Sequence, residues 1–273
     1  MNMDYSVLMS VYYKEKPDNL RTAMDSIWNQ TAVTDDFVLV CDGPLTKDLD
    51  EVIAEMSEQH RELNVVRLSK NLGLGRALDH GLKNCRNNLV ARMDSDDISR
   101  KDRCEKQLRV FENHPDVSIC SGTVEEFSDT IQKISARRIL PEKNAAIREF
   151  AGRRNPFNHP CVMYKKSAVE QAGGYRDFYL LEDYYLWIRM LQMGCVGYNI
   201  PEPLLWMRAG SGMYKRRSGW KYAKSQIRLF RYMRDIGFIG NAVFVKSALQ
   251  RVIVSIVPNR MRKLIFRIFL RKE

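Results

Sequence analysis

One segment indicates both the fold and a candidate site; it reads Leu89-Val90-Ala91-Arg92-Met93-Asp94-Ser95-Asp96-Asp97. An apolar, extended stretch ends abruptly here in three carboxylates within four positions. Because side chains alternate along a strand, we expect Asp94 and Asp96 to leave on the same side and to bind one hard divalent cation. Mg²⁺ or Mn²⁺ suits oxygen ligands best, and two carboxylates leave coordination positions for water and phosphate. The segment therefore predicts a metal site that also binds a diphosphate.

The same carboxylates allow two other interpretations. Asp and Ser favour turns and helix N-caps, and a helix is predicted over residues 99–113, so Asp97 could cap it. A calcium loop starting at Asp94 is excluded, because its positions 5 and 6 would be Ile98 and Ser99, where a ligand and a glycine are required. A metal site and a helix cap both remain open for the aspartates.

Around this segment, apolar β-rich stretches alternate with helical patterns. The predicted strands cover residues 5–11, 37–41, 65–68 and 89–93, and the predicted helices lie near 18–30, 47–60 and 75–85. This alternation predicts an α/β fold with a mostly parallel central sheet flanked by helices. Ligands of such sheets bind beyond the carboxyl ends of the strands, and polar residues follow these ends: Tyr12, Asp42, Gly43, Asn71 and Asp94 to Asp97. The presence of these polar residues at the same strand ends favours a metal site over a helix cap for the aspartates.

The second half of the chain is less regular. A polar, proline-containing loop over residues 153–160 precedes a predicted strand at 161–164 and a helix that ends at Gly173-Gly174. Glu182-Asp183 then begins another helix, whose apolar residues recur at helical spacing and are expected in the core. The glycines of the loop at residues 70–76 do not form a dinucleotide fingerprint, because Leu78 stands where the third glycine would fall.

Composition limits the class of protein. The 273 residues are 45% hydrophobic, which predicts a globular protein with one large core. The six cysteines show no CxxC pair and no metal-like spacing, so we expect reduced thiols of a cytoplasmic protein. We find neither a secretory signal pattern nor an apolar window long enough to span a bilayer.

The basic charge is concentrated near the end of the chain. The net charge is +11, yet residues 215–273 alone carry +14, which leaves −3 for residues 1–214. Residues 243–257 and 261–270 combine dense apolar side chains with Lys and Arg, a composition typical of an interfacial helix on an anionic membrane. The alternative is a helix packed on the domain with a solvated basic face. The aromatic residues lie within apolar runs rather than on an open stacking surface, which favours lipid over nucleic acid.

Four short motifs occur in order along the chain: Ser10-Val11-Tyr12, Cys41-Asp42-Gly43, Asp94-Ser95-Asp96 and Glu182-Asp183. With these motifs the chain resembles the family 2 glycosyltransferases of the GT-A fold, particularly the bacterial enzymes of O-antigen, capsule and amylovoran-type exopolysaccharide synthesis. The likeness covers roughly residues 4–210 and extends more loosely into the basic end. Asp94-Ser95-Asp96 corresponds to the family's DxD motif.

The resemblance implies an inverting transfer of a hexose from a nucleotide sugar, with UDP-galactose or UDP-glucose expected, to form a β linkage. It implies a lipid-linked acceptor, expected to be an undecaprenyl diphosphate saccharide, reached by a peripheral protein on the inner face of the cytoplasmic membrane. We expect a catalytic domain over residues 1–212, with a donor half to about 97 and an acceptor half from 98. Residues 213–273 would form a basic, amphipathic helical extension.

The resemblance also implies roles for individual residues. Asp96 would bind Mn²⁺ or Mg²⁺ directly, and Asp94 would bind the metal or the donor sugar. The expected donor-binding residues are Tyr12, Asp42, Asn71, Gly73, Arg76, Asp94 and Ser95. Asp183 is the expected general base, with Glu182 as the second choice, although both could instead stabilise the start of a helix.

The remaining candidates have open roles. Residues 70–76 could equally form only a turn and a helix start. His159 could contact acceptor or phosphate, or it could be a hydrogen-bonded structural imidazole. Where family members carry a late histidine or basic residue near metal or diphosphate, this chain offers Arg208, Lys215, Arg216 and Arg217.

Two other functions compete with glycosyl transfer. A sugar-phosphate nucleotidyltransferase would share the α/β pattern, but no early glycine-rich, basic nucleotide loop follows the first strand. A non-enzymatic module could bind nucleic acid or membrane through the basic end, and binding to vesicles against oligonucleotides would separate these possibilities.

Overall fold

The computed structural model describes residues 3–209 and 219–256, with side chains described as far as residue 251. Four parallel strands form its first half in the spatial order β3-β2-β1-β4. They are β1 (Tyr5–Val11), β2 (Phe37–Cys41), β3 (Leu63–Arg67) and β4 (Leu89–Asp94). The predicted strands are confirmed, with shifts of one or two residues at some ends.

Three helices connect these strands: α1 (Pro17–Trp28), α2 (Lys47–Gln59) and α3 (Leu74–Asn84). Pro17 occupies the first turn of α1, where its missing N–H costs no hydrogen bond. Thr46 caps α2, because its Oγ1 accepts a hydrogen bond from the Leu49 N–H at 3.4 Å. Gly73 precedes α3 with a φ of 86°, a left-handed conformation that glycine adopts without strain.

The second half adds strands of both directions and further helices. The elements are β5 (Ile98–Ser99), α4 (Arg103–Asn113), β6 (Val117–Phe127), β7 (Ile134–Arg138), α5 (Asn144–Ala151), β8 (Met163–Lys165), α6 (Lys166–Gln171), α7 (Glu182–Gln192) and β9 (Val196–Arg208). The sheet continues from β4 through β8, β6 and β9 to β5, with β7 paired to β6. β8 is antiparallel to β4 and β6, whereas β9 is parallel to β6. The mostly parallel sheet is thus confirmed for the first half and becomes mixed in the second.

Two local predictions were wrong. The helix expected from residue 99 begins at Arg103, because Ile98 and Ser99 pair with β9 instead. Asp97 therefore does not cap that helix. The strand expected at 161–164 begins at Met163, because His159–Cys161 form a short 3₁₀ helix that includes Pro160.

The sheet buries apolar side chains on both faces. Along β1 and β2 these alternate, so that Val7, Met9 and Leu39 join one cluster and Leu8 and Val40 the other. Helices α1, α2 and α4 cover the first cluster, and α3 and α7 cover the second. Full burial of such side chains contributes about 1.5–3 kcal/mol each, which makes the sheet a rigid support for its strand ends.

Two helices follow β9 in the described residues: α8 (Trp220–Asp235) and α9 (Asn241–Ile256). Leu229, Phe230 and Met233 of α8 are buried in the same cluster as α7. The Arg251 guanidinium of α9 lies 3.8 Å from the Phe230 ring centroid and donates to the Arg153 carbonyl at 3.0 Å. This part of the extension is therefore packed on the domain. Among the described helices, none is long and apolar enough to cross a membrane.

Candidate functional site

The strand registers align the carboxyl ends that the sequence predicted to meet. Val11 is paired with Cys41, and Ser10 with Asp94, so the ends of β1, β2 and β4 lie at one edge of the sheet. Tyr12 follows directly and is half-buried. The predicted strand-end location of the candidate residues is therefore confirmed.

Three carboxylates cluster at the end of β4. Asp94, Asp96 and Asp97 each bring a carboxylate oxygen within 4.8 Å of the others. Asp94 ends the strand, and the following residues form a turn; residues 94–97 are called the acidic turn below. This turn, and not the alternation of side chains along a strand, brings Asp96 close to Asp94. The turn also adds Asp97, for which the sequence left a helix cap open as an alternative.

Burial and mutual repulsion perturb these aspartates. Burial, together with the charges of Asp94 and Glu15, raises the pKa of Asp96 to about 7. The pKa of Asp97 is also raised by burial and by its two neighbours. Asp97 Oδ1 accepts the Arg208 N–H at 2.7 Å, whereas its buried Oδ2 has no hydrogen-bond partner among the described residues. The cluster thus holds more negative charge than its described surroundings neutralise.

Neighbouring segments hold the turn in place. The Ser95 hydroxyl lies 3.3 Å from Glu15 Oε2, in the segment after β1. The Arg208 side chain donates through Nε to the Asp96 carbonyl at 3.0 Å and stacks over Phe127. Arg208 therefore contacts the acidic turn, whereas the other predicted late basic residues, Lys215, Arg216 and Arg217, lie outside the described part of the chain.

A second loop meets the strand ends through Asp42. Its buried carboxylate accepts the backbone N–H groups of Leu72 and Gly73 at 2.6 and 3.0 Å. The Asn71 side chain donates to the Asp42 carbonyl at 3.1 Å. Asp42 was predicted to bind the nucleotide; both of its carboxylate oxygens here hold the loop, with Asn71 and Arg76 exposed beside it.

Gly43 allows this close approach of backbone to backbone. Its φ is 89°, and a Cβ at this position would lie 2.6 Å from the Asn71 nitrogen. Any larger residue would both strain the turn and displace the loop.

Glu182 and Asp183 stand at the start of α7, as predicted. Asp183 Oδ2 accepts a hydrogen bond from the Asn155 side-chain amide at 2.6 Å, and Oδ1 accepts the Tyr184 N–H at the same distance. The Asp183 side chain remains 14% exposed. A hydrogen-bonded, oriented and accessible carboxylate can accept a proton from a bound hydroxyl.

His159 lies 4.0 Å from Asp183 through its Nδ1, and its Nε2 lies 3.1 Å from the Tyr175 hydroxyl. Burial and the charge of Arg92 lower its pKa well below the usual value. The imidazole is therefore buried and hydrogen-bonded, as in the structural interpretation of this residue.

Glu182 connects the two regions. A Cβ on Gly75 would lie 3.1 Å from the Glu182 Cβ, so Glu182 packs against the first turn of α3. Burial and the charge of Asp183 raise the pKa of Glu182 to about 7, although Arg92 acts in the opposite direction. Gly75 follows the loop that Asp42 holds at the end of β2, so the start of α7 also lies at this edge of the sheet.

Arg92 was missed by the sequence interpretation. It lies in β4, is 1% exposed, and donates through Nη2 to Asp94 Oδ1 at 2.5 Å. A charged residue in an otherwise apolar strand was the available signal. Glu15 and Asn155 were missed as well, because they reach the site from segments without a recognisable motif.

The residues of the acidic turn fit a divalent cation. Three carboxylate oxygens converge, one buried oxygen lacks a partner among the described residues, and burial together with mutual repulsion raises two of the pKa values. Bound Mg²⁺ or Mn²⁺ would relieve this repulsion, since both ions prefer oxygen ligands.

Comparisons with known proteins identify relatives over nearly the whole chain. Residues 6–173 match the sequence profile of glycosyl transferase family 2. The chain is 40% identical to the amylovoran biosynthesis glycosyltransferase AmsE of Erwinia amylovora, over 96% of this chain and 97% of the relative. It is 37% identical to the UDP-Gal:alpha-D-GlcNAc-diphosphoundecaprenol beta-1,3-galactosyltransferase of Escherichia coli, over 98% of this chain and 97% of that enzyme.

Solved structures share the fold at low sequence identity. The S. aureus protein TarS (residues 1–349) in complex with UDP-GlcNAc matches 98% of this chain and 76% of its own, with a TM-score of 0.69 and 14% identity. The mannosyltransferase PcManGT of Pyrobaculum calidifontis, in complex with GDP-Man and Mn²⁺, matches 96% of this chain and 72% of its own, with a TM-score of 0.67 and 15% identity. The expected GT-A fold is confirmed.

Proposed function

The chain belongs to glycosyl transferase family 2, and from this premise we propose that it transfers a hexose from a UDP-sugar to a lipid-linked saccharide. UDP-galactose and UDP-glucose are the proposed donors, and an undecaprenyl diphosphate saccharide is the proposed acceptor. The full-length similarity to an enzyme named for UDP-Gal and a diphosphoundecaprenol acceptor supports both. The product would carry a β linkage and enter a bacterial surface polysaccharide.

One observation carries the proposal: carboxylates of two separate elements lie at the carboxyl edge of the sheet. Asp94, Asp96 and Asp97 cluster at the end of β4, and Glu182 packs against Gly75 of α3, directly after the loop that Asp42 holds at the end of β2. An inverting sugar transfer needs two such groups. One, with a bound cation, stabilises the charge of the leaving diphosphate, and the other accepts the proton of the attacking hydroxyl.

On the donor side, Asp96 and Asp94 would hold Mg²⁺ or Mn²⁺. When bound, the cation neutralises charge that develops on the departing nucleoside diphosphate. The loop that Asp42 positions would present Asn71, Gly73 and Arg76 to the nucleotide. Tyr12 and Ser95, at the ends of β1 and β4, would complete the donor site, and Arg208 would add positive charge near the diphosphate.

On the acceptor side, Asp183 would accept the proton of the attacking hydroxyl. The hydroxyl oxygen forms its bond to the anomeric carbon as the bond from that carbon to the diphosphate breaks on the opposite face, which inverts the configuration. The hydrogen bonds from Asn155 and the Tyr184 N–H orient Asp183 for this step. Glu182 is the second candidate, because a base with a pKa near 7 is well matched to neutral pH.

We further propose a peripheral location at the inner face of the cytoplasmic membrane, since a lipid-linked acceptor would be reached there. The division into a donor half to residue 97, an acceptor half to 212 and an extension from 213 belongs to this proposal. The shared core of α7 and α8 implies that the first part of the extension is needed for folding.

The test is an assay of the full chain with a panel of UDP-hexoses and a short-chain analogue of a GlcNAc-diphosphate lipid. We expect consumption of one UDP-hexose, a β-linked product by NMR, and loss of transfer in excess chelator or on Asp96→Asn. Lys47→Gln, at an exposed site on α2, is the control variant. No turnover of any nucleotide sugar would contradict the proposed donor class, and full activity in chelator would contradict the metal.

A further inference from the structure

Arg92 is buried at a cost that its described contacts do not offset. Of its three side-chain nitrogens, Nη2 donates to Asp94, whereas Nε and Nη1 have no hydrogen-bond partner among the described residues. A buried cation with incomplete hydrogen bonding is expensive, and an apolar residue of similar volume would often be as stable or more so. Stability alone therefore does not explain an arginine at this position.

A neighbouring arginine shows the contrast. Arg103 of α4 is also fully buried, but it donates to the carbonyls of Arg92 and Val162 and to the Gln107 side chain, and among the described residues only its Nη1 lacks a partner. Those bonds tie α4 to β4 and to the residue that follows the 3₁₀ helix, which is a structural role. Arg92 instead directs its hydrogen bond to a carboxylate of the acidic turn.

The surroundings of Arg92 restrict how Asp94 can orient. The 2.5 Å contact uses one oxygen of Asp94, whose side chain is 35% exposed and would otherwise rotate freely. Arg92 belongs to the rigid strand β4, which is hydrogen-bonded to β1 and β8. A guanidinium anchored in this way holds one oxygen of Asp94 in place and leaves the second oxygen available.

We infer that Arg92 is a positioning residue, which orients Asp94 for the divalent cation and the donor diphosphate. This inference rests on the proposed function, because it assumes that Asp94 contributes to the metal site. Partners that orient a ligand in this way are worth about 10–100-fold in metal affinity.

The direction in which cation affinity changes when Arg92 is removed distinguishes a positioning role from a role as a counter-charge. If Arg92 were only a counter-charge, its removal would take a positive charge away from the metal site and tighten binding of a cation. If Arg92 orients Asp94, its removal weakens binding despite that electrostatic gain. Lysine at this position keeps the charge but not the planar donor, so Arg92→Lys changes nothing under the first role and weakens binding under the second.

The experiment measures Mn²⁺ binding to the full chain in the presence of UDP, by calorimetry, for wild type, Arg92→Met, Arg92→Lys, Asp94→Asn and Arg92→Met/Asp94→Asn. We expect Arg92→Met to raise the dissociation constant about tenfold or more and Arg92→Lys to raise it less. In the Asp94→Asn background, Arg92→Met should add no further loss, because its effect passes through Asp94.

Unchanged or tighter Mn²⁺ binding by Arg92→Met, or an equal loss in both backgrounds, would overturn the inference. If Arg92→Met does not fold, wild-type affinity in a folded Arg92→Lys variant would overturn it equally. Absence of Mn²⁺–UDP binding by the wild type would remove both this role and the proposed metal site. Normal binding without sugar transfer would contradict only the proposed function, since the readout here is not activity.

Discussion

At the scale of single residues, Glu182 and Asp183 are adjacent in the chain but occupy different environments. Asp183 is oriented by two hydrogen bonds, whereas Glu182 is packed against α3, and burial raises its pKa to about 7. Orientation favours Asp183 as the base, and the perturbed pKa favours Glu182. The two roles are separable by experiment.

We expect Asp183→Asn to reduce transfer by about 10²–10⁴-fold, the usual contribution of a general base, and to leave UDP-sugar affinity nearly unchanged. Calorimetry of donor binding and a transfer assay measure the two quantities. A melting temperature close to that of wild type excludes misfolding, since a lost helix cap costs roughly 0.5–2 kcal/mol. Retained transfer would assign the base role to Glu182 or to another group.

The pH profile of the same variants adds a second readout. A Glu182 carboxylate with a pKa of about 7 takes up a proton as the pH falls through 7, so transfer should decline below neutral pH if Glu182 is the base. A cation held by Asp94 and Asp96 would keep these two ligands deprotonated, so Glu182→Gln should then remove this decline. An acid limb that persists in Glu182→Gln would therefore exclude Glu182 as its source.

At the scale of elements, the loop at residues 70–73 depends on Asp42 more than on its own sequence. Hydrogen bonds to a charged acceptor contribute about 1.5–3 kcal/mol each, and Asp42 accepts two of them from this loop. Gly43 permits the approach, and Gly73 begins α3 in a left-handed conformation. The loop is thus held at the strand ends by Asp42, a residue outside the loop itself.

We expect Asp42→Asn to loosen this loop and to raise the KM for the donor about tenfold, with a smaller effect on kcat, because one oxygen acceptor becomes an amide donor. Steady-state kinetics at fixed acceptor concentration measures the split. Asp50→Asn is the matched control, since Asp50 forms an exposed ion pair with Arg67 that is worth little. Equal effects of both substitutions would argue against a positioning role for Asp42.

At the scale of the whole molecule, the extension has two parts. Residues 220–251 pack on the catalytic core through α8 and the Arg251–Phe230 contact, in agreement with the packed alternative for this part. Residues 257–273 lie outside the described part of the chain and contain six Lys or Arg and one Glu. A truncation that includes residues 220–251 would remove these packing contacts, so a loss of membrane binding could not be told from a loss of folding.

We expect deletion of residues 257–273 to reduce co-sedimentation with anionic vesicles and to slow transfer to a lipid-linked acceptor, while hydrolysis of the donor without acceptor continues. Each basic residue near an anionic leaflet contributes about 1 kcal/mol, and this attraction weakens at high salt. A full-length chain with the six basic residues replaced by Gln is the matched control. Equal, salt-independent binding by all three proteins would contradict a membrane role for this segment.

The parallel half of the sheet and the location of the candidate residues at its strand ends could both be predicted from the sequence alone. Apolar periodicity and turn residues are local properties, and the carboxyl ends of parallel strands must share one edge. The start of α7 at Glu182 followed from the same local rules.

Most of the side-chain contacts within the candidate site could not be predicted, because they depend on how distant segments pack. Because Ile98 and Ser99 pair with β9, α4 begins only at Arg103, and Asp97 lies in the acidic turn. Arg208 contacts the same turn, although it is more than a hundred residues away in the sequence. Asn155 contacts Asp183 through packing that no spacing in the chain encodes, whereas Arg92 and Asp94 share a face of β4 because they are two residues apart in one strand. Burial likewise raised the pKa values of Asp96 and Glu182, because desolvation depends on the folded surroundings of a group and not on its neighbours in sequence.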